Sequence, residues 1–349
     1  MSNPGGPQRR VTIADIAERA GVSIGAVSFA LNGRPGVSEA TRDRVLGIAE
    51  ELGWAPASAA RSLAGATTET VGLVLARDPR NLGVESFYMR FIAGLEAELV
   101  KRSFGLLLQV VPDAAAELRT LKKWRASRAV DGILLVDLTV GDPRVAVSRE
   151  PGALPTVVVG DHRVANGLTS VSTDDGTAMR QAVRRLAELG HHRITRVAGL
   201  ETLAHTQDRD AAFIAECVTL GREPTVVRTD YTLESGARVT RQALRSTRPP
   251  TALLYDNDVM AVAGLSVALE LGIRVPEQLS IIAWDDSVLC EHTFPKLSSL
   301  SRDVVGLGSH VARRLFELID GAAPAAYFDA TPTLIERGST AVAAESLPV

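Results

Sequence analysis

Cysteine, histidine and aromatic rings are scarce in this chain, and each scarcity excludes something. Among 349 residues there are two cysteines, six histidines and three tryptophans, and aromatic residues make up 4%. Cys217 and Cys290 are far apart and belong to no C-x-x-C pair or Cys/His cluster, so neither a disulfide framework nor a zinc module is expected. His191 and His192 sit in a helix-to-strand turn, "ELGHHRI", with no third histidine nearby to complete a metal set. Cofactor signatures are missing too: no G-x-G-x-x-G follows a strand, and neither G-x-x-x-x-G-K-[ST] nor H-E-x-x-H occurs. No cofactor and no metal are expected. No run approaches the roughly 18 apolar residues of a membrane span, and the opening "MSNPGGPQRR" is polar and breaker-rich, unlike a signal peptide. These features predict a soluble, cytoplasmic protein with no membrane partner. Nor does one charge dominate: 38 basic against 41 acidic residues give −3. That balance is silent about nucleic acid, because a large acidic domain can dilute a small DNA-reading module.

What the chain does have is a change of texture. Residues 11–53 read as helices without a convincing strand. From Val71 onward, short β-branched runs such as "TVGLVLA" (70–76), "DGILLV" (131–136), "PTVVVG" (155–160), "TALLYD" (251–256) and "LSIIAWD" (279–285) alternate with amphipathic helical stretches. Buried strands alternating with helices imply parallel sheets covered on both faces. Some ten strands over about 270 residues suit two such sheets better than one. Between the regions lies "WAPASAARSLAGATTET" (54–70), a linker by composition. Its Pro56 and Gly65 also frame a short helix, Ala57 to Ala64, that is marginal alone.

Within the helical region, Gly21-Val22-Ser23-Ile24-Gly25 fits G-x-S-x-G, the elbow that carries a nucleophilic serine in one class of hydrolases. That elbow needs a strand entering the turn. Here "TIADIAERA" (12–20) sets Ile13, Ile16, Ala17 and Ala20 on one helix face, with Thr12 as cap and Asp15 at the third position. A helix enters the turn, so Ser23 reads as the N-cap of a second helix and not as a nucleophile. On that second helix Val27, Ala30 and Leu31 share a side with Ser23 and Ala26. Ile24, Gly25, Ser28, Phe29 and Asn32 share the other, which should face solvent yet holds two large apolar residues. A third helix follows, capped by Ser38, with Val45, Ile48 and Leu52 inward. This is the helix-turn-helix arrangement, whose second helix enters the DNA major groove.

The run "VTIADIAERAGVS…AVSFALNGRPGVSEATRDRVLGIAEELGW" resembles the headpiece of the lactose-repressor (LacI) family of bacterial transcription regulators. "P.SAARSLAG" (56–65) is similar to that family's hinge helix. "DNDVMAVAGLSVALELGIRVPEQLSIIAWDDS" (256–287), "PKLSSL" (295–300) and "ERGST" (336–340) resemble signatures of its effector-binding core. The resemblance implies an all-α headpiece at 11–55 after a flexible start (1–10), and a hinge at 56–69. It further implies a two-lobed α/β core of doubly wound parallel sheets, similar to periplasmic binding proteins, at 70–340, and a tail at 341–349. The N-lobe would take about 70–161 and 292–321, and the C-lobe about 162–291 and 322–340.

Carried over by position, Ser23, Ile24, Gly25, Ser28, Phe29 and Asn32 would face DNA. The polar members suit phosphate or base contacts and the apolar ones thymine methyl groups. Phe29 departs from the family's common arginine, which puts any borrowed operator sequence in doubt. Leu63 matches the leucine that family members wedge into the minor groove. In the core, Arg209, Asn257 and Asp285 match positions that contact a polar ligand, a donor–acceptor set that suits a sugar. Phe87 or Trp284 could stack on a sugar face, or simply pack in the core. Asp258 and Asp286 read as caps, and Asp285 with Asp286 as diverging strand-end neighbours, not an acid–base pair. The resulting expectation is a non-enzymatic homodimeric repressor of operator DNA, switched by a small effector, a sugar. Alternatives at this stage are a carbohydrate-binding module with a vestigial headpiece, an α/β carbohydrate enzyme, and a regulator answering to a non-sugar corepressor such as a nucleobase.

Overall fold

A computed structural model describes residues 11–31, 33–54, 67–78, 82–83 and 85–343. The expectations for residues 1–10, Asn32, most of the hinge including Leu63, and the last six tail positions lie outside these residues. The chain divides into a helical unit that ends at Thr68 and an α/β unit from Glu69 onward.

The helical unit is built by local capping. Helix α1 (Ile13–Ala20) starts in a capping box: Asp15 N donates to the Thr12 hydroxyl at 3.4 Å, and Thr12 N donates to the Asp15 carboxylate at 2.7 Å. It stops at Gly21, whose φ of 64° is the left-handed conformation that favours glycine. Ser23 Oγ then accepts from Ala26 N at 3.2 Å and starts α2 (Ile24–Leu31). Ser38 does the same for α3 (Glu39–Glu51), accepting from Thr41 N at 3.3 Å. Ile16, Val27 and Val45 are fully buried where the three helices meet, with Ala17, Ala20, Ala30 and Ala49 around them. Ile48 and Leu52 are only half-buried at the margin of this core.

The α/β unit holds two six-stranded sheets. One contains β1 (Thr70–Ala76), β2 (Gly105–Val111), β3 (Gly132–Leu135), β4 (Thr156–Val159), β5 (Thr169–Ser172) and β11 (Ala326–Phe328), ordered β11-β5-β4-β3-β1-β2. The other contains β6 (Arg193–Ala198), β7 (Glu223–Arg228), β8 (Ala252–Tyr255), β9 (Ser280–Trp284), β10 (Ser298–Ser301) and β12 (Thr333–Ile335), ordered β12-β10-β9-β8-β6-β7. Every pairing is parallel except β10 with β12. Helices cover both faces, so β3, β8 and β9 are buried along their whole length.

The lobe boundaries differ from the expected ones. β5 belongs to the first sheet and β10 to the second, and β11 returns to the first before β12 ends in the second. The crossings therefore fall at 173–174, 302–303 and 329–332, instead of near 161, 291 and 321. These strands are three or four residues long, and β5 and β10, "TSVS" and "SSLS", are mostly small and polar, so hydrophobic periodicity does not mark them. The core also continues past 340: Ala341 N donates to Ser280 Oγ at 3.1 Å, and Ala343 N to the Leu189 carbonyl at 2.7 Å.

Two glycines set the first lobe's geometry. A Cβ on Gly94 would lie 2.0 Å from the Val305 carbonyl oxygen, and one on Gly308 would lie 2.2 Å from that of Phe91. Helices Ser86–Leu99 and Val304–Ile319 thus cross backbone against backbone, with Ser309 Oγ donating to the Gly94 carbonyl at 3.0 Å. The crossing fixes the starts of both helices, where Glu85, Phe87 and Arg302 stand.

Candidate functional site

Two surfaces carry chemistry. On the helical unit, α2 turns Val27 and Ala30 inward and leaves Ile24 57% and Phe29 40% exposed. Gly25 is exposed beside them, while Ser28 is half-buried and Ser23 spends its Oγ lone pair on the cap. The Phe29 ring rests on Gly36, where a Cβ would stand 3.0 Å from the ring edge. Gly36 has a φ of 123°, so both its backbone and its missing side chain serve that contact. Of the basic residues here, Arg19 is paired with Glu51 at 3.1 Å and Arg42 donates to the Arg34 carbonyl at 3.1 Å. Ile24 and Phe29 are thus two large apolar side chains left in water on one face of α2.

The second surface is a cleft of about 660 Å³ at the carboxyl ends of the strands of both sheets. That is where ligands bind in open α/β sheets. Several strands deliver a charged residue at that end: Arg77 after β1, Asp137 after β3, Asp161 after β4, Asp256 after β8 and Asp285 after β9. Asp137 and Asp285 adopt left-handed backbone, with φ of 52° and 64°, a turn that short carboxylates tolerate better than most side chains.

Arg209 is the centre of the C-lobe wall. Its Nε donates to Asp175 at 2.8 Å, its Nη1 approaches Asp256 at 3.5 Å, and its guanidinium lies 3.7 Å from the centroid of the Trp284 ring. Asp256 is held in turn by the fully buried Arg196 at 2.7 Å and by Gly199 N at 2.8 Å. Burial alone would push the Asp175 carboxyl up, but the Arg209 and Arg302 guanidiniums outweigh it and hold it down to about 2. Asp285 goes the other way. Burial pushes it up to about 6 against the pull of Arg302, and its Oδ1 has no hydrogen-bond partner. On the N-lobe wall burial likewise pushes Glu85 up to about 7 against Arg77. His205 is driven down to about 4 by burial and by Arg209, so a neutral ring faces the Tyr231 hydroxyl at 3.1 Å.

The structure brings Arg209, Asn257, Asp285 and Phe87 to one cleft. It does not bring Trp284 there: the ring is fully buried beneath Arg209 and is absent from the wall. A sugar-stacking role for Trp284 is corrected to support of the guanidinium. Asn257 is partly committed, because its Oδ1 accepts from Met260 N at 2.8 Å as a helix cap and its Nδ2 donates to the Tyr231 carbonyl at 3.2 Å. Asp258 is therefore not the cap; it accepts from the Ser86 hydroxyl of the other lobe at 3.2 Å. Asp286 is no cap either, being ion-paired with Arg337 at 2.7 Å, while Ser287 caps the following helix. Phe87 is half-buried, stacked on Phe91, with the Arg302 guanidinium 5.1 Å over it.

Sequence reasoning missed Glu85, Asp175, Asp256 and Arg302. Only Asp256 carried a signal, a charged residue directly after an apolar strand in "LLYD", which "LLVD" (Asp137) and "VLAR" (Arg77) share; Glu85, Asp175 and Arg302 follow no such run.

Residues 12–57 match the family described as bacterial regulatory proteins, lacI family, and residues 183–340 match a periplasmic binding protein-like domain. The HTH-type transcriptional regulator CelR of Thermobifida fusca is 33% identical over 319 residues, which cover 90% of this chain and 93% of that protein. The chain belongs to the LacI family. Among solved structures, a CelR–cellobiose complex is 30% identical with a TM-score of 0.71, covering 95% of this chain and 100% of that one. The lac repressor dimer bound to operator and an anti-inducer is 25% identical with a TM-score of 0.83, again over 95% and 100%. Helix-turn-helix headpiece and two-lobed parallel-sheet core are thus the architecture of a family of transcription regulators. Among the described residues no helix is long and apolar enough to cross a membrane.

Proposed function

We propose that this LacI-family regulator is a repressor that binds a pseudo-palindromic operator as a homodimer and is switched by a sugar held between its lobes. The observation that carries the DNA half is the outward face of α2, where Ile24 and Phe29 are presented by a helix that buries Val27 and Ala30 on its other side. Ser23, Gly25 and Ser28 supply the close and polar approach beside them. Asn32 and Leu63 enter by resemblance alone.

The effector half is supported by the cleft. Arg209, Asp285 and the remaining amide hydrogen of Asn257 offer forked donors, an unsatisfied acceptor and a single donor within one cavity, with Phe87 as an apolar side. The likeness to a regulator solved with cellobiose favours a sugar, and the likeness to a dimer on its operator favours two headpieces reading two half-sites. An effector that favours one lobe arrangement shifts operator affinity, and by linkage operator binding shifts effector affinity by the same factor.

The test is selection of bound sequences from random DNA by the full chain, with and without cellobiose and with hypoxanthine as the non-sugar arm. The expected result is an enriched inverted repeat whose retention changes with the sugar. Absence of any enriched sequence overturns the repressor reading, and a response to hypoxanthine alone overturns the sugar.

A further inference from the structure

The chemistry of the cleft wall bears on the effector's charge, and the inference rests on the reading that a small polar effector occupies the cleft. Nine carboxyl groups line it against five arginines. Four of those arginines are matched within the wall: Arg77 by Asp137, Arg209 by Asp175, Arg163 by Asp161, and Arg302 by Asp175 and Asp285 at 3.8 and 3.7 Å. Arg180 donates to the Thr177 hydroxyl at 2.7 Å and has no carboxylate in ion-pair reach among the described residues.

Two carboxyls are left short of donors. Glu85 precedes helix Ser86–Leu99 without capping it and, among the described residues, reaches only Arg77 Nε, at 3.7 Å. Asp285 Oδ1 is buried without a donor, since Arg302 at 3.7 Å is too far for a hydrogen bond. Arg302 Nε is buried and unpartnered too. Arg302 Nη2 and Asp285 Oδ1 thus face each other at 3.7 Å with no hydrogen bond made between them. A hydroxyl group serves both, accepting from Arg302 and donating to Asp285. A carboxylate or phosphate can only accept, and brings a like charge to Asp285 and Glu85.

We propose that Glu85 and Asp285, on opposite lobes of one cleft, select an uncharged effector rich in hydroxyl groups and reject its acidic counterparts, uronates, aldonates and sugar phosphates. Glu85 enters from the N-lobe and Asp285 from the C-lobe, so the two act on the ligand from opposite walls. The carboxylates already present point the same way: burial raises the Glu85 carboxyl, Arg77 pulls it down, and Asp137, Asp285 and Asp258 each push it up again. A further negative charge adds to that repulsion, and a neutral polyol relieves it by donating.

Calorimetric titration of the full chain at pH 8, where both carboxyls are ionised, tests this with paired probes: glucose with glucuronate, glucose with glucose 6-phosphate, and cellobiose with cellobionate. At least one neutral sugar should bind, at least tenfold more tightly than its acidic partner. Glu85→Gln and Asp285→Asn, each confirmed folded by its circular dichroism melt, should each narrow that gap at least threefold. An acidic probe that binds as tightly as its neutral partner overturns the proposal, and loss of that binding in Arg180→Ala would place the anion on Arg180. An unchanged gap in both folded variants also overturns it. If no probe of either kind binds, the sugar-effector reading itself fails, and the selection rule with it.

Discussion

The guanidinium of Arg209 lies 3.7 Å from the centroid of the buried Trp284 ring while its Nε donates to Asp175 at 2.8 Å. Ring and carboxylate together leave the plane of the guanidinium one orientation. Arg209→Lys keeps the charge but loses the stack and the fork. It should abolish the effector response while leaving operator affinity within about threefold, and should alter tryptophan emission. Arg209→Met should cost about 3–5 kcal/mol in urea unfolding, because Asp175 is left buried with less compensation.

Phe29 is 40% exposed and rests on Gly36, so its truncation removes little from the headpiece core. Phe29→Ala should lower affinity for the selected operator by about tenfold, the scale of one lost base contact. The salt dependence of non-specific binding, set by phosphate contacts, should not change. Both are read from binding isotherms at several salt concentrations. Full retention of operator preference would place the ring outside the groove.

The Ser23 hydroxyl oxygen caps α2 by accepting from Ala26 N at 3.2 Å. Ser23→Ala should cost about 1 kcal/mol of headpiece stability, and a fluorophosphonate probe for activated serines should leave Ser23 unlabelled in mass spectrometry. Labelling at Ser23 would reopen the hydrolase reading.

The helical unit was legible in the sequence because its signals are local: Thr12 with Asp15, Gly21, Ser23 and Ser38 each act within four residues. The buried strands were legible for the same reason, as unbroken β-branched runs. β5, β10, β11 and β12 were not, since Thr169–Ser172 or Ala326–Phe328 becomes a strand only when a neighbour from a distant part of the chain pairs with it. The cleft was half legible. Arg209, Asn257 and Asp285 came through resemblance to family positions, whereas Glu85 and Arg302 sit in no motif. Their role follows from which partners they lack, and a sequence does not carry that information. Trp284 was misplaced because alternation in "SIIAW" does not say which face the cleft takes; β9 is buried on both.

His191 makes a pH prediction with a definite sign. The ring is buried, with Nδ1 2.9 Å from Thr251 Oγ1 and Nε2 2.9 Å from Ser280 Oγ and 3.1 Å from the Ala341 carbonyl. Burial, with a smaller push from Arg222, takes it down from 6.5 to about 4. The unfolded chain therefore binds the proton more readily. The stabilisation is fully present above about pH 6.5 and is lost as pH falls towards 4. It amounts to about 3 kcal/mol over that window. Urea midpoints from pH 7.5 to 4 should fall more steeply for the parent than for His191→Gln. Glu85 and Asp285, raised towards 7 and 6, bend the curve in the opposite sense in both proteins, so the difference isolates His191.

The chain passes between the sheets three times, at 173–174, 302–303 and 329–332, and the passes are tied to one another: Asp329 N donates to the Ser172 carbonyl at 2.9 Å, and Arg302 Nη1 to Thr173 at 3.1 Å. The three crossings thus lie side by side, each joined to a neighbour by a hydrogen bond. Neither half can be excised as a continuous stretch of gene, since each is assembled from two separate segments.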